Sequence, residues 1–245
     1  NDKQLGNTNS PSLSNIGYNP YFTRAGGVPS LEIQVLVPIQ EHNEFNNNII
    51  DITERLKKDV YFVSMAKKTY PNKPLYFAIT ASIAAFERTF VSNNSKFDQY
   101  LKGKKTLSTK ELKGMQLFFS TKINCSKCHS GFNFTNYQFK NNGATNINKD
   151  SGRYRLTRNK SDIGLFKVPS LRNIEVTGPY MHDGSISTLA GVLESYNKGG
   201  IYHSFSNSEL IKPLGLNKTE LTNLEAYLNT LTDYPFINNL NFKSP

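Results

Sequence analysis

Apolar side chains recur at helical spacing in five stretches of this chain, and no stretch shows a two-residue alternation of note. Ile49, Ile52 and Leu56 share one face of a helix predicted over 49–66, with Tyr70-Pro71 beyond its end. A second is predicted over Leu75–Val91, with Ile79, Ile83, Phe86 and Phe90 in register. Ser108-Thr109-Lys110-Glu111 has the form of a capping box, in which serine and glutamate satisfy each other's backbone N–H groups. It opens a helix expected to turn Leu112, Met115 and Phe119 inward. Thr188–Tyr196 reads as a short helix stopped by Gly199-Gly200. Asn217-Lys218-Thr219-Glu220 caps a last helix, with Leu221, Leu224, Leu228 and Leu231 on one stripe. Residues 1–30 and 130–165 are rich in Asn and Gly without a period, and read as loop. The expectation is a mostly α chain with long irregular connections.

The capping-box helix leads straight into Cys125-Ser126-Lys127-Cys128-His129, which uses both cysteines of the chain. Residues i, i+3 and i+4 of a helical turn share one face. Two thiolates so placed can bond to neighbouring vinyl groups of a porphyrin, and the following histidine can turn a ring nitrogen to its iron. This is the attachment signature of a c-type haem, with Cys125 and Cys128 as the links and His129 as proximal ligand. A structural zinc site needs four ligands and Cys-x-x-Cys supplies two; His42, His182 and His203 are scattered without a paired spacing. A thioredoxin-like motif needs a βαβ context that the flanks do not provide. Long loops suit a haem protein, because the cofactor fills core volume that packed helices otherwise supply.

Composition narrows the class further. At 245 residues the chain has room for one large domain or two small ones, and 37% hydrophobic and 12% aromatic residues suffice for a core. Its mean hydropathy of −0.50 is that of a soluble protein. The longest apolar run, around Tyr76–Phe86, is interrupted by Thr80 and Ser82 and is too short for a membrane span. No signal peptide is visible. The net charge of +10 comes from 29 basic and 19 acidic residues. The lysines are dispersed rather than gathered with aromatics on one element, which argues against nucleic acid. Most of them read as a solvated surface, and a basic rim that steers an acidic redox partner is the alternative.

Beyond the haem motif, Gly164-Leu-Phe-Lys-Val-Pro-Ser-Leu-Arg-Asn173 and Thr177-Gly-Pro-Tyr-Met-His-Asp-Gly-Ser185 closely resemble the bacterial di-haem cytochrome c peroxidase / MauG family. Ser30–Gln40, Ala84–Phe90 and Phe97–Gly103 match it in the same order, so the resemblance runs from about Asn9 to Leu231. It implies two cytochrome c-like domains: residues 1–105 as the remainder of an N-terminal, peroxidatic domain lacking its own Cys-x-x-Cys-His, and 106–245 as the C-terminal haem domain. By the same resemblance Cys125, Cys128 and His129 hold the electron-transfer haem, and its other axial ligand falls on Tyr196. An anionic phenolate there would hold Fe(III) and lower the potential relative to a thioether. Gln34 and Glu44 match the polar residues of the peroxide pocket at the other haem, where a carboxylate can carry a proton between peroxide oxygens. Asn9, Thr177 and Pro179 fall where the family binds Ca²⁺ through oxygens. His182 is expected against the haem propionates.

Two departures from the family pattern follow. The first Cys-x-x-Cys-His is absent from the sequence, so a second haem c is expected from an upstream segment or a partner chain. The chain also has no Trp. Arg24-Ala25-Gly26-Gly27 stands where the family has Trp-Asp-Gly-Arg, and an arginine cannot relay electrons, which argues against the usual inter-haem route and against bis-Fe(IV) chemistry. The implied function is a periplasmic or otherwise extracytoplasmic, peroxide-dependent haem oxidoreductase that exchanges electrons with a redox partner protein, as a homodimer or in a larger complex. The alternative is a mono-haem electron-transfer subunit without peroxidase activity.

Overall fold

The computed structural model describes residues 6, 8–144, 150–200 and 212–243, and His203 lies outside them. Helices α1 (Leu31–Gln34), α2 (Leu36–Gln40), α3 (Ile49–Leu56), α4 (Val60–Thr69) and α5 (Leu75–Arg88) form the first group. Then come α6 (Lys96–Leu101), α7 (Thr109–Phe118) and the single turn α8 (Cys125–Cys128). Two residues of β1 (Phe139–Lys140) pair antiparallel with β2 (Phe166–Lys167), and α9 (Tyr154–Thr157) lies between them. The chain closes through α10 (Leu189–Lys198), α11 (Lys218–Asn229) and α12 (Tyr234–Ile237). None of the described helices is long and apolar enough to cross a membrane.

Local chemistry explains the boundaries. The capping boxes at Ser108 and Asn217 form as the sequence implies, and Ser95 makes a third with Asp98 at the start of α6. The helix expected over 49–66 is instead two. The Asp59 carboxylate accepts from the Phe62 N–H at 2.9 Å and starts a new helix there. The chain also continues past α11, with α12 opened by Asp233, whose side chain accepts from Phe236 N–H.

Two apolar clusters make the core. The smaller gathers Ile16, Phe22, Leu31, Val35, Ile39 and Ala84. The buried face of α5 is its alanine side, Ala78, Ala81 and Ala84 with Ile79, while Ile83 and Phe86 point outward, contrary to expectation. Small side chains let α1, α3, α4 and the turn at Ile16–Tyr18 approach α5 together, which larger ones would block. Phe86 and Phe90 pack edge-on with Phe242 of the C-terminal segment instead. The larger cluster joins α7, α10 and α11 around Phe97, Phe118, Tyr227, Leu224, Leu228 and Leu231. Phe118, not Phe119, is the inward aromatic of α7: Gly114 and Phe118, four residues apart, lie on its buried face, and Phe119 is half exposed.

A buried polar network ties the two regions. Asn15 Nδ2 donates to Ser92 O at 2.9 Å and its Oδ1 accepts from Ser92 N–H at 2.8 Å. Asn173 donates to Ser92 Oγ, and its own Oδ1 accepts from Asp233 N–H at 2.8 Å. Arg172 lays its guanidinium on Asp98 through bonds of 2.8 and 3.0 Å. Buried polar groups of this kind are costly unless paired, so a fully paired set fixes one arrangement.

Candidate functional site

The turn after α7 positions the two cysteines. Ser120 Oγ donates to Leu117 O, Asn124 adopts φ 53°, and α8 starts at the next residue. One helical turn then sets Cys125 and Cys128 on one face, and His129 N–H closes the turn on Cys125 O at 2.9 Å. The loop behind returns through Phe134, whose carbonyl accepts from His129 Nδ1 at 3.1 Å. A proton held on Nδ1 leaves Nε2 as the basic, metal-binding nitrogen. Burial lowers the His129 pKa, while the carbonyls of Phe134 and Pro169 pull the other way, so the ring is neutral and fit to ligate. Burial, reinforced by the neighbouring Cys128, pushes the Cys125 thiol up to about 12. A thiol so protonated is a poor nucleophile for disulfide exchange.

These groups open onto a cleft walled mainly by Phe118, Ile123, Phe166, Val168, Leu189 and Leu228. Tyr196 reaches the same cleft from α10, a helix capped by Thr188 accepting from Gly191 N–H. Burial raises the Tyr196 pKa, and a hydrogen bond of 3.0 Å donated by Asn142 Nδ2 opposes the rise. His182 is buried, stacked on Phe166 with ring centroids 4.1 Å apart, and burial lowers its pKa. Arg24 and Lys167 also line the cleft. Burial brings Arg24 down to about 10, and burial plus the charge of Arg24 brings Lys167 down to about 8. Arg24 donates to the carbonyls of Asn9 and Ser10, and Lys167 Nζ to that of Tyr21.

The donor set fits haem c. Two thiols one helical turn apart, a neutral imidazole, a buried phenol and two crowded cations share one largely apolar cleft. The thiols suit thioether links, the imidazole and phenol suit axial ligation, and the cations suit propionates. No group of three or more His, Cys, Asp or Glu that could hold a metal ion occurs among the described residues, so a zinc reading has no further ligands here.

Gln34 and Glu44 are not among the residues lining this cleft. Gln34 ends α1, and its Oε1 is buried without a hydrogen-bond partner among the described residues. Glu44 is exposed, on a turn closed by its own N–H to Glu41 O at 3.0 Å. Asn9 and Pro179 are brought together, since Asn9 Nδ2 donates to Pro179 O at 2.6 Å, with Thr177 two residues earlier. Sequence reasoning missed Asn142, Met181 and Lys167 as cleft residues. Asn142 sits in a segment that reads as featureless loop, whereas Met181 and Lys167 stood inside quoted motifs without an assigned role.

A family model described as di-haem cytochrome c peroxidase matches residues 1–106. The methylamine utilization protein MauG of Methylorubrum extorquens is 32% identical over 229 residues, which cover 92% of this chain and 64% of that protein. The cytochrome-c peroxidase IdrP1 of Denitromonas iodatirespirans is 30% identical, covering 91% of this chain and 68% of the relative. The cytochrome c551 peroxidase of Nitrosomonas europaea is 32% identical, with 94% and 66% covered. This chain thus spans about two thirds of the length of these relatives. A crystal structure of a MauG-like protein associated with microbial copper homeostasis superposes with a TM-score of 0.89 at 29% identity, covering 98% of this chain and 79% of that one. The di-haem peroxidase BthA of Burkholderia thailandensis has the same fold, with a TM-score of 0.83 at 18% identity, covering 97% of this chain and 75% of that one.

Proposed function

This chain belongs to the di-haem cytochrome c peroxidase family, and from that premise we propose that it is an extracytoplasmic, peroxide-dependent haem oxidoreductase. The observation that carries the reading is the convergence of Cys125, Cys128, His129 and Tyr196 on one cleft. A haem bound there supplies a one-electron carrier. Cys125 and Cys128 would fasten it, His129 Nε2 and Tyr196 Oη would ligate it, Arg24 and Lys167 would neutralise its propionates, and the neutral His182 would offer them a hydrogen bond. Phe166, Val168 and Leu189 exclude water around it.

Residues 106–245 serve as this electron-transfer domain and 1–105 as the part of the peroxidatic domain present here. The working protein includes a second Cys-x-x-Cys-His, on an upstream segment or a partner chain. Gln34 and Glu44 then line the peroxide site, with Glu44 moving the proton between oxygens and Gln34 Oε1 accepting from a bound donor. Asn9, Thr177 and Pro179 hold Ca²⁺ once the Asn9 amide turns Oδ1 toward Pro179 O. Electrons come from, or go to, a redox partner protein with an acidic contact face.

Intact mass, haem quantitation and peroxide turnover on the purified assembly test the proposal. Two thioether-bound haems, one of them high-spin, with peroxide consumption are expected. The proposal is falsified if the assembly holds one haem in total and is inert to peroxide. A single six-coordinate haem would then make the chain an electron-transfer subunit.

A further inference from the structure

One loop residue of the haem cleft touches two side chains that can each act as an iron donor. Asn142 Nδ2 donates to Tyr196 Oη at 3.0 Å and lies 3.5 Å from Met181 Sδ, within hydrogen-bonding reach of sulfur. An amide NH₂ has two hydrogens, so both contacts can be made at once. The amide oxygen is also engaged, accepting from Ala144 N–H at 3.2 Å, which fixes which way the side chain points. Met181 itself has φ 72°, a left-handed conformation that is unfavourable for a residue other than glycine. Met181 lines the cleft together with Tyr196, Cys128 and His129.

We propose that Asn142 is a positioning residue that decides the distal donor, holding the Tyr196 oxygen in place for the haem iron and tying the Met181 sulfur back from it. The inference rests on the haem reading above. A phenolate is a hard donor and a thioether a soft one, so the two stabilise opposite oxidation states. The tie to Asn142 thus keeps the haem at the low potential of a tyrosine-ligated iron. Met181 becomes a competing donor once that tie is cut.

The test uses haem-loaded protein, with attachment verified first by intact mass under denaturing conditions; a protein without covalent haem fails the underlying reading, not this one. Reduction potential and the near-infrared thioether-to-iron band are then measured for Asn142→Leu, Asn142→Ala and each of these combined with Met181→Leu. The alanine change removes the donors with the least demand on packing. The expected result is a potential that rises, with a thioether band, in the single variants, and both effects lost when Met181→Leu is added. A Tyr196→Phe protein should lack the band while Asn142 is present and gain it in Tyr196→Phe/Asn142→Ala. A potential that stays or falls in the Asn142 variants, or a rise that survives Met181→Leu, overturns the proposal.

Discussion

Tyr196 and Asp98 show how differently two residues depend on their surroundings. For Tyr196 the cleft opposes ionisation, so the proposed anionic ligand would need the iron and the Asn142 hydrogen bond to lose its proton. Tyr196→Phe should give a high-spin ferric spectrum, and Tyr196→Met a higher reduction potential. An unchanged spectrum in the phenylalanine variant would return the tyrosine to a packing role. For Asp98, burial alone raises the pKa, but the bonds from Arg172 and Ser95 carry it below the ordinary 3.8. A depressed folded-state pKa gives stability that is present above pH 3.8 and is lost as pH falls through the folded value. The pair is buried, with 3% and 11% of the two side chains exposed, so removing one partner strands a charge. Asp98→Ala should therefore cost about 3–5 kcal/mol in urea unfolding at neutral pH, with a smaller difference from wild type below pH 3. Cys125, Cys128 and His129 were legible because one helical turn brings them together. Asn142 was not, since its partners Met181 and Tyr196 lie 39 and 54 residues away.

At the scale of elements, capping chemistry was readable and facing was only partly so. Ser108 and Asn217 announce their helices through side chains three residues apart, a local signal. Which face of a helix is buried depends on neighbours that a spacing pattern does not contain. On α5 the large residues at helical spacing, Ile83 and Phe86, proved to be outward, because the surrounding elements close in on alanines. On α7 the decisive residue is Gly114. A Cβ there would stand 1.8 Å from Asn223 O and 2.8 Å from Tyr227 Cβ, both on α11. Alanine in place of glycine gains about 1 kcal/mol in helix propensity. Forcing α7 and α11 apart costs about 3 kcal/mol or more, at the upper end for overpacking. The clash wins, so Gly114→Ala should lower the unfolding midpoint markedly. A midpoint equal to or above wild type would mean that the two helices separate at little cost.

On the scale of the whole molecule, the cleft sets Arg24 and Lys167 among largely apolar walls. Arg24 and Lys167 are two cations brought close in a buried wall with carbonyls as their partners, an arrangement that gains most from an anionic neighbour such as a propionate. Arg24 lines the cleft beside the stacked pair Phe166 and His182, and Tyr21 stacks on Phe139 with ring centroids 5.2 Å apart. The region of Gln34 and Glu44 forms a separate surface, with its own apolar cluster and exposed side chains around it. That separation sets up a selective test of the peroxide chemistry. If Glu44 carries the proton between peroxide oxygens, Glu44→Ala should slow peroxide reduction by roughly 10²–10⁴, the range for a positioned acid–base group. Since Glu44 is no part of the cleft around Cys125, the spectrum and potential of the haem fastened there should not move. A variant that slows turnover while also disturbing that haem would place the effect in folding rather than in proton transfer. A variant that turns over peroxide at the wild-type rate would reduce Glu44 to a surface carboxylate.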